Sequence, residues 1–268
     1  MSRRTTDWAG ALMLILTAVV SLLAFAWPLI VAPSAALDGN SQSPFVFAAL
    51  LPIVIAIVVS QLSRGVIDVK ALAMLGVLAA LGALARPLGA GTAGIELVFV
   101  PIILGGRVFG AMFGFLLGTT TLFTSALLTG GVGPWLPYQM LAASFVGLGA
   151  GLLPKTKPNG WAEIAVLSAY ALVAAFAYGI LVDLSFWPFS LGLGTDASFV
   201  AGAPLAENLR RFAVFNLATS MGWNLGRAAA TIITLVVVGR PLLKILRRTN
   251  RRAHFEEVSP ARASQSVS

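Results

Sequence analysis

The chain has 268 residues, 58% of them hydrophobic and 10% charged, with a mean hydropathy of +0.90. Soluble domains carry about 25% charged residues, so the composition excludes an ordinary water-soluble domain and points to a polytopic membrane protein. The net charge of +8 gathers at the ends and in short loops, as topology signals do, and cysteine is absent while the only histidine is His254 in a polar tail; this argues against nucleic-acid binding, a disulfide framework, a thiolate metal site and a histidine-based centre.

About 20 apolar residues cross a bilayer as a helix. On that template the first candidate is 9–31, which follows a basic N-terminus as a signal peptide does. It lacks a clean small-residue cleavage site, so we read it as a retained helix. The next segments are 45–63, 70–86, 94–105, 107–128, 134–153, 162–184 and 212–239. The 94–105 segment is short enough to be a tilted half-span or a re-entrant element. The fold class expected is therefore an all-α integral membrane protein, a helical bundle of about eight spans. Three parts follow: 1–69 as the N-terminal end with two additional helices, 70–247 as a six-helix core, and 248–268 as a polar, disordered tail.

Lysine and arginine set the orientation. Arg3, Arg4, Arg64, Lys70, Arg107, Lys155, Lys157, Arg240, Lys244, Arg247, Arg248, Arg251 and Arg252 share one side of an eight-span arrangement. That side is expected to be cytoplasmic, with both termini on it and the protein in the plasma membrane. Arg86, Arg210 and Arg211 are the exceptions. The longest external connection, about 185–211, is rich in glycine, proline and aromatics; it is either a lid or a plain connector.

Polar groups within the apolar spans mark the candidate chemistry. In "ARPLGAGTAGIE", residues 85–96, Arg86 ends one helix, Pro87 stops it, and Glu96 opens the short span. Charges at this depth face a cavity or each other, so Arg86 and Glu96 are either a structural ion pair or the mouth of a pocket. In "GGVGPWLPYQM", residues 130–140, the glycines allow a mobile turn and Pro134 suits a first helical turn. Trp135 and Tyr138 then serve as interfacial anchors or as pocket walls, while Gln139 is an amide that needs partners once buried. On the last span Asn216, Ser220, Trp223, Asn224 and Arg227 recur at three- and four-residue spacing and make one polar face. An arginine near the middle of that span costs about 2.5–3.5 kcal/mol against lipid, so this face looks inward, as interhelical glue or as a cavity wall. The run Thr119 to Ser125, "TTTLFTS", is weaker, because hydroxyls are satisfied within their own helix.

Ala73, Gly76, Ala79, Ala80 and Ala83 form a stripe of small residues on the 70–86 helix, suited to internal packing or to docking of another membrane subunit. No phosphate-binding loop of the form GxxxxGK[ST] occurs, nor HExxH or GxSxG. No cofactor is expected, and no motor for ATP hydrolysis.

The runs "ALGALARPLGAGTAGIE", "GGRVFGAMFGFLLG" and "GPWLPYQMLAASFVGLGAGLLP" together resemble the substrate-binding S component of energy-coupling factor (ECF) transporters, over roughly residues 70–240. The resemblance implies a six-helix core that binds a vitamin or other micronutrient at the external face. It implies as partners a transmembrane coupling subunit and two ATP-binding subunits. It also implies that Ala79 and Ala83, matching the family's small-xxx-small motif, dock on the coupling subunit. The glycine-rich turn before Pro134 would gate the pocket. The N-terminal pair of helices lies outside that pattern.

The function expected is thus a substrate-specific subunit of an ATP-driven micronutrient importer, for a B vitamin such as cobalamin or riboflavin. Its pocket is expected from Arg86, Glu96, Trp135, Tyr138, Gln139, Asn216, Trp223, Asn224 and Arg227, with both arginines available to anionic groups and the aromatics to a planar ring. One rival is a self-sufficient secondary transporter, which inverted repeats would favour. The other is a membrane enzyme using Glu96 and Asp183 as an acid–base pair.

Overall fold

The computed structural model describes residues 19, 22–23, 25–30, 69–89, 94–154, 156–190, 195–200 and 202–256. Among them every regular element is helical. Beyond a single turn at Trp27–Ile30 there are seven helices: α1 Val69–Leu88, α2 Phe99–Phe109, α3 Ala111–Thr129, α4 Leu136–Leu152, α5 Trp161–Ser190, α6 Leu205–Thr219 and α7 Met221–Glu256. Four of them, α1, α3, α5 and α7, are long and apolar enough to cross a membrane. The 45–63 segment, the termini before 19 and beyond 256, and Arg64 and Lys155 lie outside the described residues.

Several boundaries differ from the sequence reading. The 94–105 element begins later and ends later, as the 11 residues of α2. At 1.5 Å per residue it is about 16 Å long, roughly half the hydrocarbon thickness. Arg107 is not in a loop but in the last turn of α2; the chain turns at Gly110, whose φ of 99° suits glycine. Pro137, not Pro134, occupies the first turn of α4. The last span begins at Leu205 and breaks only at Ser220, where the bonds Ser220 N–H to Asn216 O and Asn224 N–H to Ser220 O carry the ladder across. α6 and α7 thus act as one bent rod, and the core is six rods. α5 runs on to Ser190 and α7 through Glu256, past the expected tail boundary at 248.

The closest packing is between α3 and α4. A Cβ on Gly147 would lie 1.9 Å from the Gly114 carbonyl oxygen, and one on Gly118 would lie 2.3 Å from that of Ala143. Only glycine permits this approach, which replaces the hydrophobic drive that lipid cannot supply with dense van der Waals contact. The Thr119 and Ser144 hydroxyls meet across the same seam, where one donates to the other and the acceptor donates its own proton to a carbonyl one turn back. From the N-terminal region, Phe25 is buried, with its ring centroid 5.5 Å from that of Tyr138 and 6.4 Å from that of Phe145.

Arg107 and Arg247 meet at one end of the bundle. Glu163, at 0% exposure, is held by Arg107 at 2.7 Å and by both terminal nitrogens of Arg247 at 2.8 and 2.6 Å, with the Asn159 N–H donating at 2.8 Å. Arg107 also donates to the Leu153 and Pro154 carbonyls, so α2, α5, α7 and the 153–160 loop are tied at one point. Beyond it Arg240, Lys244, Arg248 and Arg251 are exposed along α7.

Candidate functional site

Away from that cluster, the C-terminal end of α1, the 94–98 turn, the start of α4, the middle of α5 and the α6–α7 junction surround a cavity of about 280 Å³. Ligand pockets run from about 300 Å³ upward, so this one falls just below that range.

Arg227, on the second turn of α7, is the centre of the wall. Its Nε and Nη2 donate to the two carboxylate oxygens of Glu96 at 3.1 Å each. Nη1 donates to Asn224 Oδ1 at 2.7 Å and to the Ala175 carbonyl at 3.3 Å. The guanidinium lies 4.8 Å from the Tyr178 ring and 5.6 Å from Phe99, and those two rings pack edge to face. Every donor face of this buried cation is therefore engaged, which is the condition for keeping an arginine inside an apolar bundle.

Arg86 and Glu96 do not pair, although ten positions apart. Arg86 Nη2 instead donates to Gln139 Oε1 at 2.8 Å, tying α1 to α4 across 53 residues. This also fixes the Gln139 amide with its oxygen toward Arg86. Asp183, on α5, accepts from Asn216 Nδ2 at 2.5 Å. Asn224 is 1% exposed, and its Nδ2 is buried without a partner among the described residues. Because Oδ1 is committed to Arg227, a donor only, the amide cannot be turned the other way.

Of the nine expected site residues, Arg86, Glu96, Gln139, Trp223, Asn224 and Arg227 border the cavity. Three do not. Tyr138 points into the core at 3% exposure, against Phe25. Trp135 is 44% exposed just before α4, folded over Gly133. Asn216 stands behind Asp183 and positions it. The expectation that both arginines are free for anionic groups is corrected, because Glu96 occupies Arg227.

The sequence reading missed Tyr178, Gly179, Val182, Asp183 and Thr219 as walls, and carried Ser220 only as a member of the polar face. Asp183 carries a signal, an acid in an apolar run, but the segment expected over 162–184 puts it at a helix end; with α5 continuing to Ser190 it lies within the helix. Gly179 exists for a steric reason: a Cβ there would lie 2.0 Å from Asn224 Oδ1.

The small-residue stripe splits in two. Ala79 and Ala83 are 2% and 0% exposed, buried inside the bundle, whereas Ala73, Gly76 and Ala80 are exposed. The pair matched to the docking motif therefore faces inward, and the outward small face is offset from it.

A family model described as ECF transporter, substrate-specific component, matches residues 70–243, well over half of the 268. No curated protein and no solved structure matches the chain.

Proposed function

The chain belongs to the substrate-specific components of ECF transporters, and from that premise we propose that the cavity between α1, α4, α5 and the α6–α7 junction is where it captures a B-vitamin-like micronutrient. Family membership makes it a membrane transport subunit and implies association with an ECF module of coupling and ATPase subunits. The observation that carries the reading is Asn224, a buried amide donor left open on the cavity wall while its carbonyl is locked to Arg227. A buried donor without a partner is costly, and a bound molecule supplies the acceptor. Riboflavin suits a cavity of this size better than the much larger cobalamin, so it is the substrate we propose to try first.

The orientation proposed puts the Glu163 cluster and both termini in the cytoplasm of a plasma-membrane protein, because the exposed cations gather at that end. The cavity then faces outward. Docking of the coupling subunit is proposed on Ala73, Gly76 and Ala80, the small residues that α1 presents to its surroundings.

The experiment is a reconstitution. Purified chain in liposomes binds labelled riboflavin or cobalamin without accumulating it, and accumulation appears only with the coupling and ATPase subunits and ATP. Accumulation by the chain alone under an ion gradient would establish the secondary-transporter reading in its place.

A further inference from the structure

Four charged side chains border the cavity, two cations and two anions: Arg86, Arg227, Glu96 and Asp183. Their pairing is uneven. Arg227 and Glu96 neutralise each other through a two-pronged bridge. Arg86 has a neutral amide oxygen as its partner, and Asp183 a neutral amide nitrogen. Neither forms a salt bridge among the described residues. Beside them stands the open Nδ2 of Asn224.

Resting on the reading that this cavity binds the transported molecule, we propose that its ligand is neutral overall and amphoteric: a molecule whose acceptor groups meet Arg86 and Asn224 and whose N–H, O–H or amine donor meets Asp183. The reasoning is electrostatic. The lining is balanced in formal charge and sits among apolar helices, where an uncompensated charge is expensive. A net anion satisfies Arg86 but leaves the Asp183 carboxylate beside a like charge. A net cation satisfies Asp183 and leaves Arg86 the same way. A zwitterion, or a heterocycle carrying both carbonyl and N–H edges, satisfies both and adds no net charge. Arg227 contributes less to charge selection than Arg86, because Glu96 already neutralises it. The rigidity of Asn224 sharpens the preference, since the buried end it leaves unpartnered can only donate.

The test uses the full-length chain purified in detergent, with melting temperature and equilibrium binding read against vitamins sorted by net charge. Riboflavin, pyridoxine and cyanocobalamin are the net-neutral probes; nicotinate, pantothenate and biotin the net anions; thiamine the net cation. The expected result is stabilisation by a neutral probe and by none of the ions. Arg86→Gln and Asp183→Asn should each weaken that probe by about tenfold or more, the loss typical of a charged hydrogen bond. Tighter binding of any charged probe than of every neutral one overturns the charge assignment while leaving a vitamin site in place. A neutral hit indifferent to both substitutions binds elsewhere and overturns it too. Silence across the panel, from protein that melts cooperatively, overturns the vitamin reading beneath the proposal.

Discussion

Arg227 on α7 closes on Glu96, 131 residues earlier in the chain, through two nitrogens at 3.1 Å. The bridge fastens the turn before α2 to the bent rod that ends the core. Removing the carboxylate alone strands a guanidinium whose remaining partners are an amide, a carbonyl and two rings. Stranding one member of a buried pair costs about 3 kcal/mol or more, so Glu96→Gln should lower the melting temperature in detergent clearly. The double variant Glu96→Gln with Arg227→Met should recover much of the loss, because the isolated charge is then gone. If Glu96→Gln melts like the parent, the bridge contributes nothing to stability.

Gly179 and Asn224 make a second pair whose relation is steric. An alanine at 179 would place its Cβ 2.0 Å from Asn224 Oδ1 and 2.8 Å from Nδ2. The amide must swing away, which breaks its bond to Arg227 and removes the open donor from the cavity. Gly179→Ala should therefore weaken ligand binding by about tenfold, the scale of one lost hydrogen bond. Gly222 supplies the control, since a Cβ there meets nothing within 4 Å. Equal binding by Gly179→Ala and Gly222→Ala would show that Asn224 takes no part in recognition.

Much of this architecture is legible in hydropathy, and the misreadings share one physical origin. Apolar runs report where lipid contact ends, not where hydrogen bonding ends. Residues 205–211, "LAENLRR", are polar and read as part of a loop, yet they form helix with Glu207 and Arg211 paired one turn apart at 2.8 Å. The charged stretch after 248 continues α7 in the same way. Ionisable and amide groups inside apolar helices stand out in a sequence because they need partners, and six of the nine expected residues border one cavity. Which partner each takes was not recognisable. Arg86 and Glu96 are near neighbours in sequence, but each is satisfied from a distant helix. A stripe of alanines likewise carries no sign of which side faces in; Ala79 and Ala83 are its buried members.

Glu163 joins three helices at the end opposite the cavity. One fully buried carboxylate serves two arginines, so its loss frees both at once. Glu163→Gln should destabilise the chain by about 3 kcal/mol or more. Arg107→Met or Arg247→Met should each cost less, because the carboxylate keeps one cation. The two arginine substitutions should also combine non-additively, since they share one partner. Binding at the distant cavity should change little in whichever of these variants remains folded. Additive losses in a double-mutant cycle would mean that the two arginines act independently of Glu163.

The outward small residues of α1 separate docking from folding. Gly76 has open space around the position of a Cβ, and Ala73 and Ala80 are exposed with it, whereas Ala83 has no exposed surface at all. A tryptophan at 76 or 80 should then be accommodated by the isolated chain and obstruct only a helix that packs closely there. Gly76→Trp and Ala80→Trp should fold, bind ligand as the parent does, and lose ATP-driven uptake and co-purification with the coupling subunit. Ala79→Trp and Ala83→Trp put the same bulk into the packed interior, where overpacking costs about 1–3 kcal/mol and sometimes more, so they should lower melting temperature and binding together. Normal uptake by Gly76→Trp and Ala80→Trp would move the docking surface off this face of α1, and a folded, binding-competent Ala83→Trp that fails only in uptake would return it to the inward pair.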